Sequence, residues 1–445
     1  MRANSSHAAA PRVGLFGLLG SGNSGNDASM ETVLAYLREA HPDAVVDALC
    51  GGPEVVRSSY GIDAAPVFWY QRFEERATGA PAAFLKVIGK GVDAYRTASW
   101  VRRHDAVIVP GAGALETTLP QRAWGFPYAL LVLAASGRLF RTRVALVSVG
   151  ADHISKRPTR WVSNTTARLV SYRSYRDAYS RDSMRRRGID TSSDPVCPDL
   201  VFGVPVPPYE PGDPRLVGVG VMAYYGGNDD RKQADQIHSR YVETMTEFTG
   251  WLVDNDYRIR LFGGDKKFDV AIAEQIQASL LASRPGLDAS RVTVAAVATY
   301  PELVREMAPV GMVVATRYHN VMCALKLCKP TISVGYSRKF ISLMSDMGLA
   351  EFHQFADSVD TGRLIEQFKK LEGRRAELEQ RMVVRNAVNK QGLANQFATL
   401  SGLLLPGSKP ARTGDPQTVA PLSAARTDKE VLDRAPVAVS GVLAR

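Results

Sequence analysis

Cysteine is scarce in this chain, and the four present, Cys50, Cys197, Cys323 and Cys328, form no CxxC pair and no His/Cys cluster. A disulfide scaffold and a structural zinc site are therefore not expected; the pattern fits reduced, mostly buried thiols in a cytoplasmic protein. With no other grouping of metal ligands, no metal or cofactor requirement is expected. The first eleven residues, MRANSSHAAAP, lack the apolar core of a signal peptide. The most apolar run, Tyr128–Ser136, falls well short of the about 20 residues that cross a bilayer, and reads as a buried helix. There is also no long Lys/Arg arm and no basic stretch interleaved with aromatics, so nucleic acid is not an expected partner.

What is present is a long, ordinary globular composition. At 445 residues, 45% hydrophobic and 22% charged, the chain exceeds one compact core, and two α/β domains are expected. Its net charge of +10 suits phosphorylated small molecules or an anionic membrane surface as well as it suits a generic basic protein. From Arg12 the order is strand, glycine-rich loop, helix, strand: RVGLFGL, LGSGNSGND, ASMETVLAYLREA and AVVDAL. That order opens a parallel α/β unit. Strands are expected at Ala106–Val109, Val144–Val149 and Tyr175–Ser180. The segment PVPPYEPGDP, residues 205–214, carries five prolines in ten positions and reads as a linker. Domains are thus expected over 12–204 and 215–405, the second beginning at the strand Leu216–Met222. It should continue through the helix Arg240–Asp254, the strand Arg258–Phe262, the helix Asp269–Ala282 and the strand Val292–Ala295. A helix at Pro301–Met307 and strands at Met312–Ala315 and Thr331–Val334 follow, these strands bracketing a helix from about Asn320 to Leu327. One or two closing helices from Arg363 to Leu404 could pack back across both domains or pair with a second chain. Residues 406–445, rich in Pro, Ala, Ser and Thr, read as a disordered tail.

Four places could hold chemistry. In the loop around Gly22, Asn23, Gly25 and Asp27, backbone N–H groups and the following helix N-terminus could receive an anion; a tight turn capped by Asn or Asp explains the residues equally. The run Val109-Pro110-Gly111-Ala112-Gly113, ending at Glu116, leaves a strand at its C-terminal end, where open α/β sheets bind ligands, though close loop packing would need the same glycines. Arg176-Asp177 could present a guanidinium fork to a carboxylate or phosphate with Asp177 holding it, or form a plain ion pair with helix caps. The fourth carries most weight: an apolar strand delivers Arg317 and His319 onto the start of a helix at Asn320. An always-charged fork, a titratable imidazole and a helix N-terminus suit an anionic substrate that needs a proton. Tyr336, Arg338 and Lys339 follow the next strand as a second cationic loop facing the same crevice.

These pieces in this order resemble the polysaccharide pyruvyl transferase family over roughly residues 12–350. The resemblance rests on GSGNSGND, VIVPGAGALE, RDAYS with Gly188 beyond it, CPDLVF, VVATRYHNVMCALKLCKPTISVGYSRK and DMGL. It implies two Rossmann-like domains facing a cleft, as in the two-domain GT-B glycosyltransferases. It also implies transfer of a pyruvyl group from phosphoenolpyruvate to a sugar diol, forming a cyclic ketal and releasing phosphate. On that reading Arg317 and Arg176 clamp the donor, Lys339 or Arg338 assists, and His319 is the general acid. Asp27, Glu116 or Asp177 would draw the proton from the acceptor hydroxyl. The expected partners are phosphoenolpyruvate and a glycan or lipid-linked sugar, met in the cytoplasm or at the inner membrane face. A nucleotide-sugar glycosyltransferase of the same architecture, and a non-catalytic glycan-binding protein, remain the alternatives.

Overall fold

A computed structural model describes residues 10–70, 79–116, 123–226, 232–264, 268–295, 297 and 299–405. Two six-stranded, all-parallel sheets dominate it. The first contains β1 (Arg12–Gly17), β2 (Val45–Cys50), β3 (Asp63–Pro66), β4 (Ala106–Pro110), β5 (Arg143–Val149) and β6 (Tyr172–Tyr175) in the order β3-β2-β1-β4-β5-β6. The second contains β7 (Asp213–Gly220), β8 (Arg258–Phe262), β9 (Val292–Ala295), β10 (Val310–Ala315), β11 (Thr331–Gly335) and β12 (His353–Phe355) in the equivalent order β12-β11-β10-β7-β8-β9. Each sheet therefore reverses direction once, between β1 and β4 and between β7 and β10. At such a switch point the loops leaving the strand ends splay apart and make room for a ligand.

The first sheet is covered on both faces, which is why its central strands are almost wholly apolar. On one face Phe16, Val107 and Leu146 pack with Trp100 and Val101 of α3 (Gly79–Val101) and Leu130 of α4 (Phe126–Phe140). On the other, Leu15, Ile108 and Val147 pack with Met30 and Leu34 of α1 (Ser24–Ala40) and Val56 of α2 (Pro53–Tyr60). The N-terminal half is completed by α5 (Arg157–Leu169) and α6 (Ala178–Arg186). The second half adds α7 (Ala234–Asp254), α8 (Asp269–Ser283), α9 (Tyr300–Met307), α10 (Tyr318–Lys326), α11 (Arg338–Asp346) and α12 (Thr361–Gly373), closed over one continuous core.

The last helix, α13 (Arg375–Leu404), belongs to both halves. Its first turns bury Leu378 and Met382 in the second core, while Leu393, Leu400 and Leu404 enter the first. Gln396 bridges β5 and β6, giving its amide to Ser174 Oγ at 2.6 Å and accepting from Ser148 Oγ at 3.0 Å.

Several elements differ from the sequence reading. Tyr175–Ser180 is not a strand: β6 ends at Tyr175, and Asp177 accepts from Ser180 N at 2.6 Å to start α6. The carboxylate cap overrides the β-prone tyrosines. Helix α1 begins at Ser24, four residues earlier than expected, because Asn23 accepts from the N–H groups of Gly25 and Asn26. β7 starts at Asp213, inside the proline-rich segment, with Pro214 at its outer end. The proposed tail, 406–445, lies outside the described residues.

Candidate functional site

The switch points of the two sheets face one another, and six of the residues singled out from the sequence, Gly25, Glu116, Arg176, Arg317, His319 and Lys339, gather there. β10 is buried throughout, and it delivers Thr316 and Arg317 to the cleft before the chain turns into α10. Thr316 is anchored below by Tyr241 (O–O 2.6 Å). Arg317 is then held as a fork: Nε and Nη2 meet the two oxygens of Asp269 at 2.8 and 2.7 Å. Asp269 is fully buried and also accepts from Ala223 N at 3.0 Å and Gly264 N at 2.9 Å. Four donors make it a rigid anionic seat. Gly264 lets the Arg317 stem lie flat, since a Cβ there would come within 3.0 Å of Arg317 Cγ.

His319, in the first turn of α10, crosses to the N-terminal half. Its ring lies so close to Gly25 that a Cβ added there would sit 1.7 Å from Nε2. The glycine loop thus serves the imidazole directly, bringing it against the N-terminus of α1. Burial is the main reason its pKa falls to about 3, and the positive charges of Lys339, Arg176 and Arg317 add to the effect. The imidazole is neutral at physiological pH in the free protein, and it is ringed by cations.

Arg176 comes from the other half to the same place. Its side chain is only 6% exposed, and Glu116, Asp199 (3.5 Å) and Asp177 (3.7 Å) surround its guanidinium. Burial opposes its charge, but Glu116, Tyr318 and the two aspartates outweigh it and hold the guanidinium firmly protonated. Gly113 and Gly150 make room: a Cβ at either would collide with Glu116, and at Gly150 with Arg176 as well. Of the two readings of Arg176, a fork for an anion or an ion pair, the described residues show the ion pair, drawn into a closed ionic knot. Lys339 Nζ adds to it, 3.8 Å from Glu116 Oε2. Tyr318 lies between the two cations, its ring centroid 5.2 Å from the Arg176 guanidinium and 5.1 Å from Lys339 Nζ. It is a cation–π partner of both.

Other expected residues take structural parts. Asp27 closes its own loop by accepting from Gly20 N at 2.6 Å. Asp177 is occupied by the α6 cap and Arg176, and burial raises the pKa of both carboxyls. Gly111 has φ +54° and faces Ser29, so it serves close packing. Gly22, at φ +86°, has open space around it, and Asn23 is the α1 cap. Tyr336 packs edge-on against Phe340. Arg338, at the start of α11, acts electrostatically on Tyr179 across the cleft. Asn320 is 1% exposed, and among the described residues neither polar atom of its amide has a hydrogen-bond partner. Sequence reasoning missed Asp269 and Asp199. The first opens α8, five residues after Gly264, and the second lies in the CPDLVF segment and caps the short turn Leu200–Gly203.

Two facing Rossmann-type halves with a cationic cleft between their switch points define a GT-B-type α/β fold. Solved structures of that architecture are similar to the chain. UDP-GlcNAc 2-epimerase from Neisseria meningitidis bound to UDP-GlcNAc is 12% identical, with TM-score 0.56 over 89% of this chain and 99% of that one. HepE from Anabaena in complex with UDP is 12% identical, with TM-score 0.52 over 88% and 100%. The lipopolysaccharide outer core galactosyltransferase WaaB, apo form, is also 12% identical, with TM-score 0.52 over 87% and 99%. None of the curated proteins matches the chain in sequence. The family model for polysaccharide pyruvyl transferase matches residues 23–338, and the chain belongs to that family, a family of transferases. No helix among the described residues is long and apolar enough to cross a membrane.

Proposed function

We propose that the protein transfers the enolpyruvyl carbons of phosphoenolpyruvate to two hydroxyls of a sugar, giving a pyruvate ketal and inorganic phosphate. The observation that carries this reading is a neutral imidazole enclosed by Arg317, Arg176 and Lys339, with Arg317 held in a fixed orientation by Asp269. Phosphoenolpyruvate brings a carboxylate and a phosphate, and its negative charge would offset the cations that depress His319. Donor binding would thereby raise the imidazole pKa and favour His319 in its protonated form.

The steps balance. One acceptor hydroxyl adds to C2 of the enol while His319 gives its proton to the methylene carbon, which becomes the methyl group. The hydroxyl's own proton restores the imidazolium. A second hydroxyl then displaces phosphate from C2, closing the ketal ring, and its proton leaves with phosphate or solvent. Arg317 and Lys339 would hold the anionic groups, and the buried Arg176 knot would fix Lys339 and Tyr318 beneath them.

The direct test follows phosphate release from phosphoenolpyruvate with and without candidate acceptor glycans, alongside UDP-sugar consumption. Acceptor-dependent phosphate release that disappears in His319→Ala supports the reading. Consumption of a UDP-sugar with phosphoenolpyruvate ignored overturns it.

A further inference from the structure

A second concentration of positive charge lies on the N-terminal half. α5, α6 and the loop after β5 enclose a cavity of about 240 Å³ lined by His153, Arg160, Ser183, Arg186 and Arg187. Arg187 is fixed entirely by neutral acceptors. Nε donates to Asn164 Oδ1 at 2.9 Å, Nη1 to the carbonyls of Leu115 (3.2 Å) and Asp152 (3.3 Å), and Nη2 to Ser163 Oγ at 2.7 Å. Arg186 donates to Ser183 Oγ at 2.8 Å and lies 5.6 Å from the Tyr179 ring centroid. Among the described residues, no carboxylate forms an ion pair with Arg160, Arg186 or Arg187. The nearby Asp152 directs Oδ1 to the Tyr179 hydroxyl and the His153 amide, each at 2.6 Å.

This is the reverse of Arg176, where three carboxylates surround one guanidinium. Here three arginines share a concave space with no carboxylate among the described residues paired to any of them, and the most constrained is partly desolvated. Burial, with Arg160 adding to it against Tyr175 and Asp152, lowers the Arg187 pKa to about 10. Such a cation is costly unless an anion joins it. The cavity is also tied to the cleft. Arg187 holds the carbonyl of Leu115, and the next residue, Glu116, is the carboxylate shared by Arg176 and Lys339. The concave form suits a discrete phosphoryl group held by guanidinium forks rather than a flat membrane surface.

We propose that this cavity binds the phosphoryl group of a phosphorylated acceptor, a sugar phosphate or diphosphate, leaving its hydroxyls to reach the cleft. The acceptor role rests on the transferase reading; the phosphoryl site rests on the cavity alone. Calorimetric titration of the full chain, with phosphoenolpyruvate held at saturation, tests both. The probes are glucose 1-phosphate, inorganic phosphate and inorganic pyrophosphate, and the proteins are wild type, Arg160→Gln and Arg186→Gln. The expected result is glucose 1-phosphate binding that weakens about tenfold with each replacement, while phosphoenolpyruvate affinity stays within about twofold of wild type. Wild type that ignores all three probes, or variants that bind them undiminished, overturns the proposal. If inorganic phosphate and pyrophosphate bind but glucose 1-phosphate does not, the site is one for a free anion and the acceptor assignment is overturned. If arginine-dependent glucose 1-phosphate binding persists in a protein that neither binds nor turns over phosphoenolpyruvate, the phosphoryl site stands and the transferase reading falls.

Discussion

Replacing Gly25 by Ala should disable His319 while leaving the fold in place. A Cβ at residue 25 would lie 1.7 Å from His319 Nε2, whereas real Cβ contacts essentially never fall below 3.0 Å, so the imidazole must retreat by about 1.3 Å. The backbone of Gly25 does not have positive φ, so alanine is tolerated locally and the clash falls on the ring. Overpacking of this kind costs about 1–3 kcal/mol of stability. A displacement of roughly 1 Å at a catalytic group costs on the order of 100-fold in turnover, which is about 2.7 kcal/mol of barrier. The assay is acceptor-dependent phosphate release, measured beside a thermal melt. The variant should melt cooperatively within several degrees of wild type and turn over about 100-fold more slowly. His319→Ala combined with Gly25→Ala should lose little more than His319→Ala alone, because both remove the same contact. Undiminished turnover in Gly25→Ala would refute the apposition of α1 and the imidazole, and with it the role given to the glycine loop.

Arg317→Lys should raise the KM for phosphoenolpyruvate roughly 10-fold or more, because an ammonium cannot reproduce the fork on Asp269; steady-state kinetics at fixed acceptor reads it. The folded pKa of His319, about 3, lies below its unfolded value of 6.5, so its neutral form favours the fold. That contribution is complete above about pH 6.5 and is lost as pH falls from there toward 3, so His319→Gln should flatten the acid side of a melting-temperature profile. On the proposed function, phosphoenolpyruvate binding should raise that pKa and take up protons, a change that calorimetry in buffers of different ionisation enthalpy detects. Glu116→Gln removes one carboxylate from a knot in which both it and Arg176 are 6% exposed. A loss of about 3 kcal/mol in a denaturant titration is expected, since the remaining aspartates compensate only partly.

The parallel sheets were legible because their strands are short runs of Val, Ile and Leu punctuated by glycine and separated by amphipathic helices. Arg258–Phe262 and Val292–Ala295 match the expected strands at both ends. The edge strands β3 and β12 escaped notice because Asp63–Pro66 and His353–Phe355 are too short and too polar to show a period. The Arg317–His319 segment was recognisable from local chemistry alone. Its setting was not. Asp269 is 48 residues from Arg317 and reads as an ordinary acid at a helix start, and the meeting of Gly25 with His319 exists only once the halves face each other. Arg176 shows another limit. Its sequence neighbourhood allowed a clamp or an ion pair with Asp177, and could not choose, because two of the carboxylates around it, Glu116 and Asp199, come from distant parts of the chain.

The chain passes between the halves twice, and the two passages touch. Tyr209 donates to Glu379 at 2.8 Å and Arg375 to the Gly212 carbonyl at 2.7 Å, so the proline segment and α13 run side by side. Two adjacent links constrain the halves as the pin of a door does, and the relative motion they would leave is a swing about one line. Lys326, at the far end of α10, is fastened near that line to the carbonyls of Val201 and Val204. His319 is seven residues up the same helix, a lever arm of roughly 10 Å, so a swing of about 10° carries the imidazole roughly 2 Å. A swing that small would barely alter the overall shape, yet it would be enough to lift the ring from Gly25 or seat it there.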